Sequence, residues 1–532
     1  MLRYTNAGYW GADTIPARLE RQAAARPDHP AVVDESRRLT YGEFASMVRS
    51  FAGALSRLGV GAGDAVAVQL PNWWEQLVAD FAIIEIGAIL VPVNVRVRGE
   101  LEYMLEYTNC KVLVVPDEYH KFSHIEFINS IRSRLPALTR VVVVRGAKPY
   151  PEHESFADLV AETEASEPAT SAPRPSGNDP WQIMFTSGTT SAPKGVVRTH
   201  NNTLFTLDLL IKDYGILAGD GSDVTLAVLP VAFVYAQYVC AMGALLTGGT
   251  LVLQENFDAA DLIRAVERER VTLITVVPSM VPALQHAPNL AETDLSSLRI
   301  VAPAGEAVTR ERKLELSEIF KCDVRECYGL AEVTMPLVQP REATLEQKLS
   351  STGRPNSATE LRVVDTVGQD AEVGEIGELL VKGPTLFAGY FRSPEATAAA
   401  IDPEGWFHTG DLVVVGEDGF YAISGRKKDL IKRGGASILP QDIEDALEGH
   451  PAVAAVAAFG LPDELRGEIA CACVVVKPGE TATVEGLIGY LRDRIATFKV
   501  PERIEFVDAL PLSANGKVLK AELAARFRNA DV

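Results

Sequence analysis

The chain has 532 residues, 47% hydrophobic and 23% charged, proportions of an ordinary globular protein that exclude a disordered, fibrous or collagen-like chain. That length accommodates about two to four domains or subdomains. Lys and Arg number 51 against 71 Asp and Glu, a net charge of −20, so the surface repels phosphate backbones and no nucleic-acid partner is expected. Six cysteines are too few for a disulfide scaffold, and the nearest pair, Cys471 and Cys473, lacks metal-ligand spacing; they read as buried thiols in a reducing compartment. The opening MLRYTNAGYW carries no secretory pattern. The longest apolar stretches, residues 81–93 and 234–246, are interrupted by Glu85 and Gln237 and fall short of the ~18 to 20 residues a transmembrane helix needs. A cytoplasmic protein is expected.

In chain order, Leu39-Thr40-Tyr41-Gly42-Glu43 announces a helix: the Thr40 hydroxyl can cap it while Glu43 reaches back to the Thr40 amide. Phe44, Val48, Phe51, Leu55 and Leu58 recur at helical spacing, and Gly59 closes the run. Residues 65–70 lead through Pro71-Asn72 into a second helical pattern and then to residues 89–93, giving strand, helix, strand. The alternation returns with residues 225–229, 250–253, 271–277 and 298–302 as buried strands and stretches such as 259–268 as helices. This is an α/β pattern of parallel sheets covered by helices on both faces, with ligand-binding loops at the strand ends. Residues 169–180, ATSAPRPSGNDP, read as an exposed connector. After about residue 370 the strands shorten and glycines multiply. A separate unit follows Gly425, with a helix over 441–447, strands over 453–459 and 471–476, and a helix carrying Leu487 and Leu491. The expected division is 1–425 and 426–532.

The segment richest in chemistry is residues 185–195, FTSGTTSAPKG, directly after a predicted strand at 181–185. Hydroxyls of Thr186, Ser187, Thr189 and Thr190 and amides freed by Gly188 can wrap a polyphosphate, with Lys194 adding a point charge. The nucleotide loop GxxxxGK[ST] does not fit, because counting from Gly188 puts Pro193 and Gly195 where its second glycine and its hydroxyl belong. Tyr328-Gly329-Leu330-Ala331-Glu332 follows another predicted strand, 322–327. An aromatic face, a glycine and a carboxylate one turn on can stack a base and hold Mg²⁺. Asp411 follows a tight turn in Trp406-Phe407-His408-Thr409-Gly410-Asp411. Arg426, Lys427, Lys428 and Lys432, with Gly434-Gly435, place cations at the expected boundary, and Lys517 ends a loop, Pro511 to Lys517. Singly, each charge run reads as a solvated face.

As an ordered set, these segments resemble the adenylate-forming superfamily of acyl-CoA synthetases, peptide-synthetase adenylation domains and firefly luciferase. At least six motifs fall in order between about Thr40 and Lys520. The resemblance implies a large N-terminal domain with two helix-covered, mostly parallel sheets plus a smaller β subdomain, and a small mobile α+β C-terminal domain. It implies that a carboxylate attacks the α-phosphorus of MgATP, releasing pyrophosphate, and that a thiol, that of coenzyme A in the ligases, then displaces AMP. Thr186, Ser187, Gly188, Thr189, Thr190 and Lys194 would hold phosphates; Gly305, Glu306 and Ala307 would meet adenine, on which Tyr328 stacks beside Gly329. Glu332 would take Mg²⁺, Asp411 the ribose hydroxyls, and Arg426 would close over them. Lys517 would be the catalytic cation, Lys428 the pivot, and Lys432, Gly434 and Gly435 would border the thiol's path. Ala331 replaces the usual Thr or Ser, so one hydroxyl contact to the α-phosphate is missing.

For the acyl pocket, amino-acid adenylation domains place an aspartate where this chain has Val234 in Pro230-Val231-Ala232-Phe233-Val234. A buried ammonium without a partner is costly, so the expected substrate is a carboxylic acid lacking an α-amino group, lying against Phe233, Val234 and Met335. The leading expectation is an AMP-forming carboxylate-CoA ligase, as monomer or homodimer. The alternatives are an acyl-AMP ligase that loads a carrier protein or leaves thiolation to a partner, a phosphoryl-transfer ATPase, and a luciferase-like oxygenase. His120 and His124 can share a helix face but lack the HExxH carboxylate, so zinc is not expected. His200 and His408 read as structural groups.

Overall fold

The computed structural model describes residues 2–164, 174–186, 193–305, 308–434, 436–463, 465–511 and 518–528. The capping box forms as its spacing requires. The Thr40 hydroxyl accepts from the Glu43 amide at 3.3 Å, the Glu43 carboxylate accepts from the Thr40 amide at 2.9 Å, and helix Tyr41–Arg57 follows with Phe44, Phe51 and Leu55 buried. Strand Ala65–Val68, helix Trp74–Glu85 and strand Ile89–Pro92 make the expected unit, the two strands pairing in parallel.

Two large sheets carry the N-terminal part. One has eight strands, in the spatial order 389–390, 194–199, 180–186, 89–92, 65–68, 112–116, 140–144 and 154–155. The other has seven, in the order 323–324, 300–303, 273–276, 224–227, 250–253, 30–33 and 38–40. Pairing is parallel through most of both sheets, and antiparallel where Lys194–Thr199 meets Pro180–Thr186 on one side and Gly389–Tyr390 on the other, and where strand 30–33 meets 38–40. Helices Tyr41–Arg57 and Trp74–Glu85 contribute to one continuous core with residues of both sheets, among them Phe44, Phe81, Val66 and Leu251. A four-stranded antiparallel sheet follows, Glu360–Val364, Ile376–Lys382, Phe407–Val415 and Tyr421–Arg426. The last sheet joins Ile431–Arg433, Ala436–Ile438, Val453–Asp463, Gly467–Val476 and Arg503–Phe506 over a core of its own that includes Ile443, Leu447, Leu487 and Leu491.

Two local expectations change. The single strand over 322–327 is two short ones: Asp323–Val324 edges the seven-stranded sheet, whereas Cys327–Tyr328 pairs with Leu337–Val338. Between them Arg325 and Glu326 are buried. Arg325 donates to the carbonyls of Tyr214 and Gly215, and Glu326 pairs with Lys313 at 2.6 Å. Buried charges must be partnered, and these partners draw the backbone off the sheet. The connector is not exposed throughout, because Gly177 is buried and a Cβ there would lie 2.5 Å from the Gly11 carbonyl oxygen; residues 169–173 lie outside the described residues. Residues 236–242 form a π-helical stretch. The six thiols are free, and burial pushes those of Cys110, Cys240 and Cys327 up to about 12. Among the described residues no helix is long and apolar enough to cross a membrane.

Candidate active site

Strands Pro180–Thr186 and Lys194–Thr199 flank the Ser/Thr-rich segment and pair antiparallel, with Thr186 opposite Lys194. Ser187, Gly188, Thr189 and Thr190 lie outside the described residues. In a GxxxxGK[ST] site the lysine opens a helix, whereas here Lys194 opens strand Lys194–Thr199, which weighs against the phosphoryl-transfer reading beside the spacing. Gly195 is required here, since a Cβ would stand 2.7 Å from Ile183 Cγ2.

Lys194 carries its ammonium to 4.9 Å from the centre of the Tyr390 ring, and Tyr390 Oη donates to Glu332 Oε1 at 2.9 Å. Burial, reinforced by the Glu332 charge, raises the Tyr390 pKa, so this hydroxyl stays protonated and serves as donor. The Glu332 carbonyl accepts from the Phe387 amide at 2.8 Å. Glu332 belongs to the loop after strand Cys327–Tyr328. There the Leu330 amide donates to the Val333 carbonyl at 2.9 Å, and a Cβ on Gly329 would come within 2.9 Å of the Met335 amide nitrogen. Met335 is buried and takes a left-handed φ of 51°. Arg198, also buried, ties the loop to the hairpin, donating to Thr334 Oγ1 at 2.9 Å, the Ala331 carbonyl at 3.4 Å, the Thr385 carbonyl at 3.0 Å and Tyr238 Oη at 3.0 Å.

At the start of the same loop, Tyr328 Oη donates to Asp411 Oδ2 at 2.5 Å, and Arg426 Nε pairs with Asp411 Oδ1 at 2.9 Å. Asp411 and Arg426 are cross-strand neighbours, and Asp411 is only 3% exposed. Burial first, then the Asp411 charge, holds the Tyr328 phenol well above its ordinary pKa, which makes it an obligate donor. The Asp411 amide donates to Thr409 Oγ1 at 3.0 Å. Behind them, Glu378 receives Lys427 at 2.7 Å. Loop 328–335 thus joins two contact sets, Tyr328 with Asp411 and Arg426, and Glu332 with Tyr390 beside Lys194.

Gly305 follows strand Ile300–Pro303 with φ at +90°; Glu306 and Ala307 lie outside the described residues. Phe233 and Val234 are half-buried just before the π-helical stretch, and Tyr235 Oη donates to the Ala302 carbonyl at 2.7 Å. Lys428 lies in the turn Lys427–Asp429. Lys432, on strand Ile431–Arg433, is exposed, and its amide donates to Glu468 Oε2 at 2.6 Å. Gly434 has φ at +56° and donates to the Arg466 carbonyl at 2.8 Å. Gly435 and Lys517 lie outside the described residues. Sequence reading missed Arg198, Tyr390 and Glu378; each lies well away along the chain from the groups it holds, respectively Ala331 and Thr334, Glu332, and Lys427.

The histidines do not share a helix face. His120 sits in a turn with φ at +49°, whereas His124 opens helix His124–Ile131 and is buried. His200 accepts from the Ile15 amide at 3.2 Å, and burial pushes its pKa down to about 4. Among the described residues no group of three or more His, Cys, Asp or Glu could hold a metal. Glu332 as a single carboxylate fits Mg²⁺, which is ordinarily held by one or two carboxylates with substrate phosphates supplying the rest.

The family model described as AMP-binding enzyme matches residues 19–391, and that of the AMP-binding enzyme C-terminal domain matches residues 442–517. The chain belongs to the AMP-binding enzyme family. It is 34% identical to a feruloyl-CoA synthase of Amycolatopsis sp, over 95% of this chain and 98% of that one. It is 33% identical to the 2-hydroxy-7-methoxy-5-methyl-1-naphthoate–CoA ligase of Streptomyces carzinostaticus, over 98% and 95%. Among solved structures it is similar to the anthranilate CoA ligase AuaEII in complex with anthranoyl-AMP, with a TM-score of 0.88 at 27% identity over 98% of both chains. This family member is an AMP-forming carboxylate-CoA ligase, an acid-thiol ligase that consumes ATP and coenzyme A.

Proposed function

We propose that this ligase activates a ring-bearing carboxylic acid without an α-amino group. The observation that carries this reading is Val234: an apolar, half-buried residue stands in the segment that would have to partner a substrate ammonium, and an unpaired buried ammonium is prohibitive. Phe233, Val234 and Met335 supply apolar surface for the acid, and the aryl and bicyclic acids named for the relatives support a ring.

In this reading Thr186, Ser187, Gly188, Thr189, Thr190 and Lys194 receive the β- and γ-phosphates. Gly305, Glu306 and Ala307 border adenine, with Tyr328 against its face and Gly329 and Ala331 lining the approach. Asp411 accepts the ribose hydroxyls on lone pairs left by Tyr328 and Arg426. Glu332 holds Mg²⁺, which neutralises phosphate charge. Lys517 supplies the remaining cation. An acid approaching a triphosphate is anion meeting anion, and a preorganised donor at that point is worth about 3 to 4 kcal/mol. Residues 1–425 bind the acid and nucleotide, while residues 426–532 form a second domain that pivots at Lys428 and brings Lys432, Gly434 and Gly435 to the thiol. The free thiols suit a cytoplasmic setting.

The test is a panel of aryl, alicyclic, aliphatic and amino acids, followed by pyrophosphate release and then by mass analysis with coenzyme A or a carrier protein as acceptor. An aryl or alicyclic acid giving its CoA thioester is the expected result; a preference for amino acids overturns the reading, and transfer only to a carrier moves the acceptor assignment. Lys517→Ala should abolish acid-dependent pyrophosphate exchange, and exchange that persists at the native rate removes Lys517 from its role.

A further inference from the structure

Tyr390 is assigned to none of the steps above, yet it is the group through which the phosphate hairpin and the cation carboxylate meet. Its hydroxyl donates to Glu332 Oε1 at 2.9 Å, and its ring lies 4.9 Å from the Lys194 ammonium. The same segment also fixes the Glu332 backbone, since the Phe387 amide donates to the Glu332 carbonyl at 2.8 Å and Leu386 bridges Val333. Tyr390 is itself held from three sides. It pairs with Val196 on the hairpin strand, its amide donates to Thr397 Oγ1 at 2.9 Å, and the Phe387 ring packs on it edge-on at 4.9 Å between centres. Thr397 is anchored in turn by donating to the Ser393 carbonyl at 2.9 Å.

These contacts have two separable consequences. A carboxylate that shares a cation with phosphates must present its open oxygen in one direction, and a hydrogen bond to the other oxygen sets that direction; groups in this position matter to metal sites nearly as much as the ligands. A lysine on a four-carbon stem presents a point charge with no geometry of its own, and an aromatic face beneath it confines the ammonium electrostatically. Packing alone would be served as well by phenylalanine, which cannot donate to Glu332.

We infer that Tyr390 is a positioning residue for adenylation: its hydroxyl aims the Glu332 carboxylate at the cation, and its ring seats Lys194 against the phosphates. This rests on the assignment of Glu332 to Mg²⁺ and of Lys194 to the phosphates.

The test separates the two halves with Y390F and Y390L and checks the underlying assignment with E332Q. Mn²⁺ binding is followed by electron paramagnetic resonance on the full-length enzyme with a non-hydrolysable ATP analogue, alongside steady-state pyrophosphate exchange. Y390F should weaken Mn²⁺ binding about tenfold, with the KM for the acid unchanged. Y390L should add a several-fold rise in the KM for ATP, because the ring is lost as well. E332Q should weaken Mn²⁺ binding at least as much as Y390F. If E332Q binds Mn²⁺ like the native enzyme, Glu332 is not the cation ligand and the assignment itself falls. If E332Q weakens Mn²⁺ but Y390F does not, the hydroxyl's role is overturned. If Y390L and Y390F share one KM for ATP, the Lys194 role is overturned.

Discussion

At Gly329 the site depends on the absence of a side chain. A Cβ there would lie 2.9 Å from the Met335 amide nitrogen and 3.3 Å from the Val333 carbonyl oxygen, and backbone cannot yield as a flexible side chain can. Gly329→Ala is therefore expected to displace Tyr328 and Glu332 together and to raise the KM for ATP tenfold or more, leaving that for the acid nearly unchanged. Equal KM values for ATP in the two proteins would show that the loop absorbs the methyl. Two residues further on, Ala331 lacks the hydroxyl that the family commonly places there. A net hydrogen bond is worth about 0.5 to 1.5 kcal/mol, so Ala331→Ser should quicken acid-dependent pyrophosphate exchange about two- to tenfold. An unchanged or slower rate would mean that this loop does not bring residue 331 to the phosphate.

The elements that position these residues follow from local rules where the rules are strong. The Thr40 capping box satisfies the Glu43 amide and the Thr40 amide at the start of helix Tyr41–Arg57, whose apolar face is buried. Thr40→Ala should cost about 1 kcal/mol, seen as a lower urea midpoint at unchanged slope. A native midpoint would contradict the cap's role. The hairpin of Pro180–Thr186 and Lys194–Thr199 needed more than local rules. Its first strand and polar loop are visible in sequence, but the antiparallel return is fixed by six paired positions along the two strands. The split of residues 322–327 was invisible for the same kind of reason, because it depends on Lys313, Tyr214 and Gly215, which sequence spacing does not associate with Arg325 or Glu326.

On the scale of the whole molecule, helix Pro440–Glu448 packs at the start of helix Arg310–Phe320, where Thr309, Gln441 and Asp445 help line a cavity of about 60 Å³. Burial raises the pKa of Glu448 to about 7 and that of Asp445 to about 6. Around Glu448 stand Arg312, Asp445, Glu444 and the Thr309 hydroxyl; around Asp445 stand Gln441, Glu444, Glu311 and Asp442. Glu444 and Asp442 are paired with Lys520 at 2.6 Å and Lys499 at 2.8 Å. When the helices separate, both carboxyls return to the ordinary carboxylate range. The packed arrangement therefore binds more protons, so it is favoured at low pH, weakens as pH rises to about 7, and changes little above that. Fluorescence energy transfer between labels on the N- and C-terminal parts should report closer packing at pH 5.5 than at pH 8, and Asp445→Asn with Glu448→Gln should flatten the profile. A pH-independent distance in the native chain would overturn this.

Residues adjacent along the chain carried their own information: the Thr40 cap, the strand and helix alternation, the Thr186 to Lys194 loop, and the ordered motifs ending at Lys517 all rest on short-range spacing or on motif order. What the tertiary structure decided is which distant groups meet. Tyr390 reaches Glu332 and Lys194, Arg198 holds loop 331–334, and Arg426 lies on Asp411 because sheet pairing and core packing bring separate strands to one place. Such convergence is a property of the folded chain's geometry, in which a contact spanning more than a hundred residues costs no more than a neighbouring one once the core has formed, and no local periodicity records it.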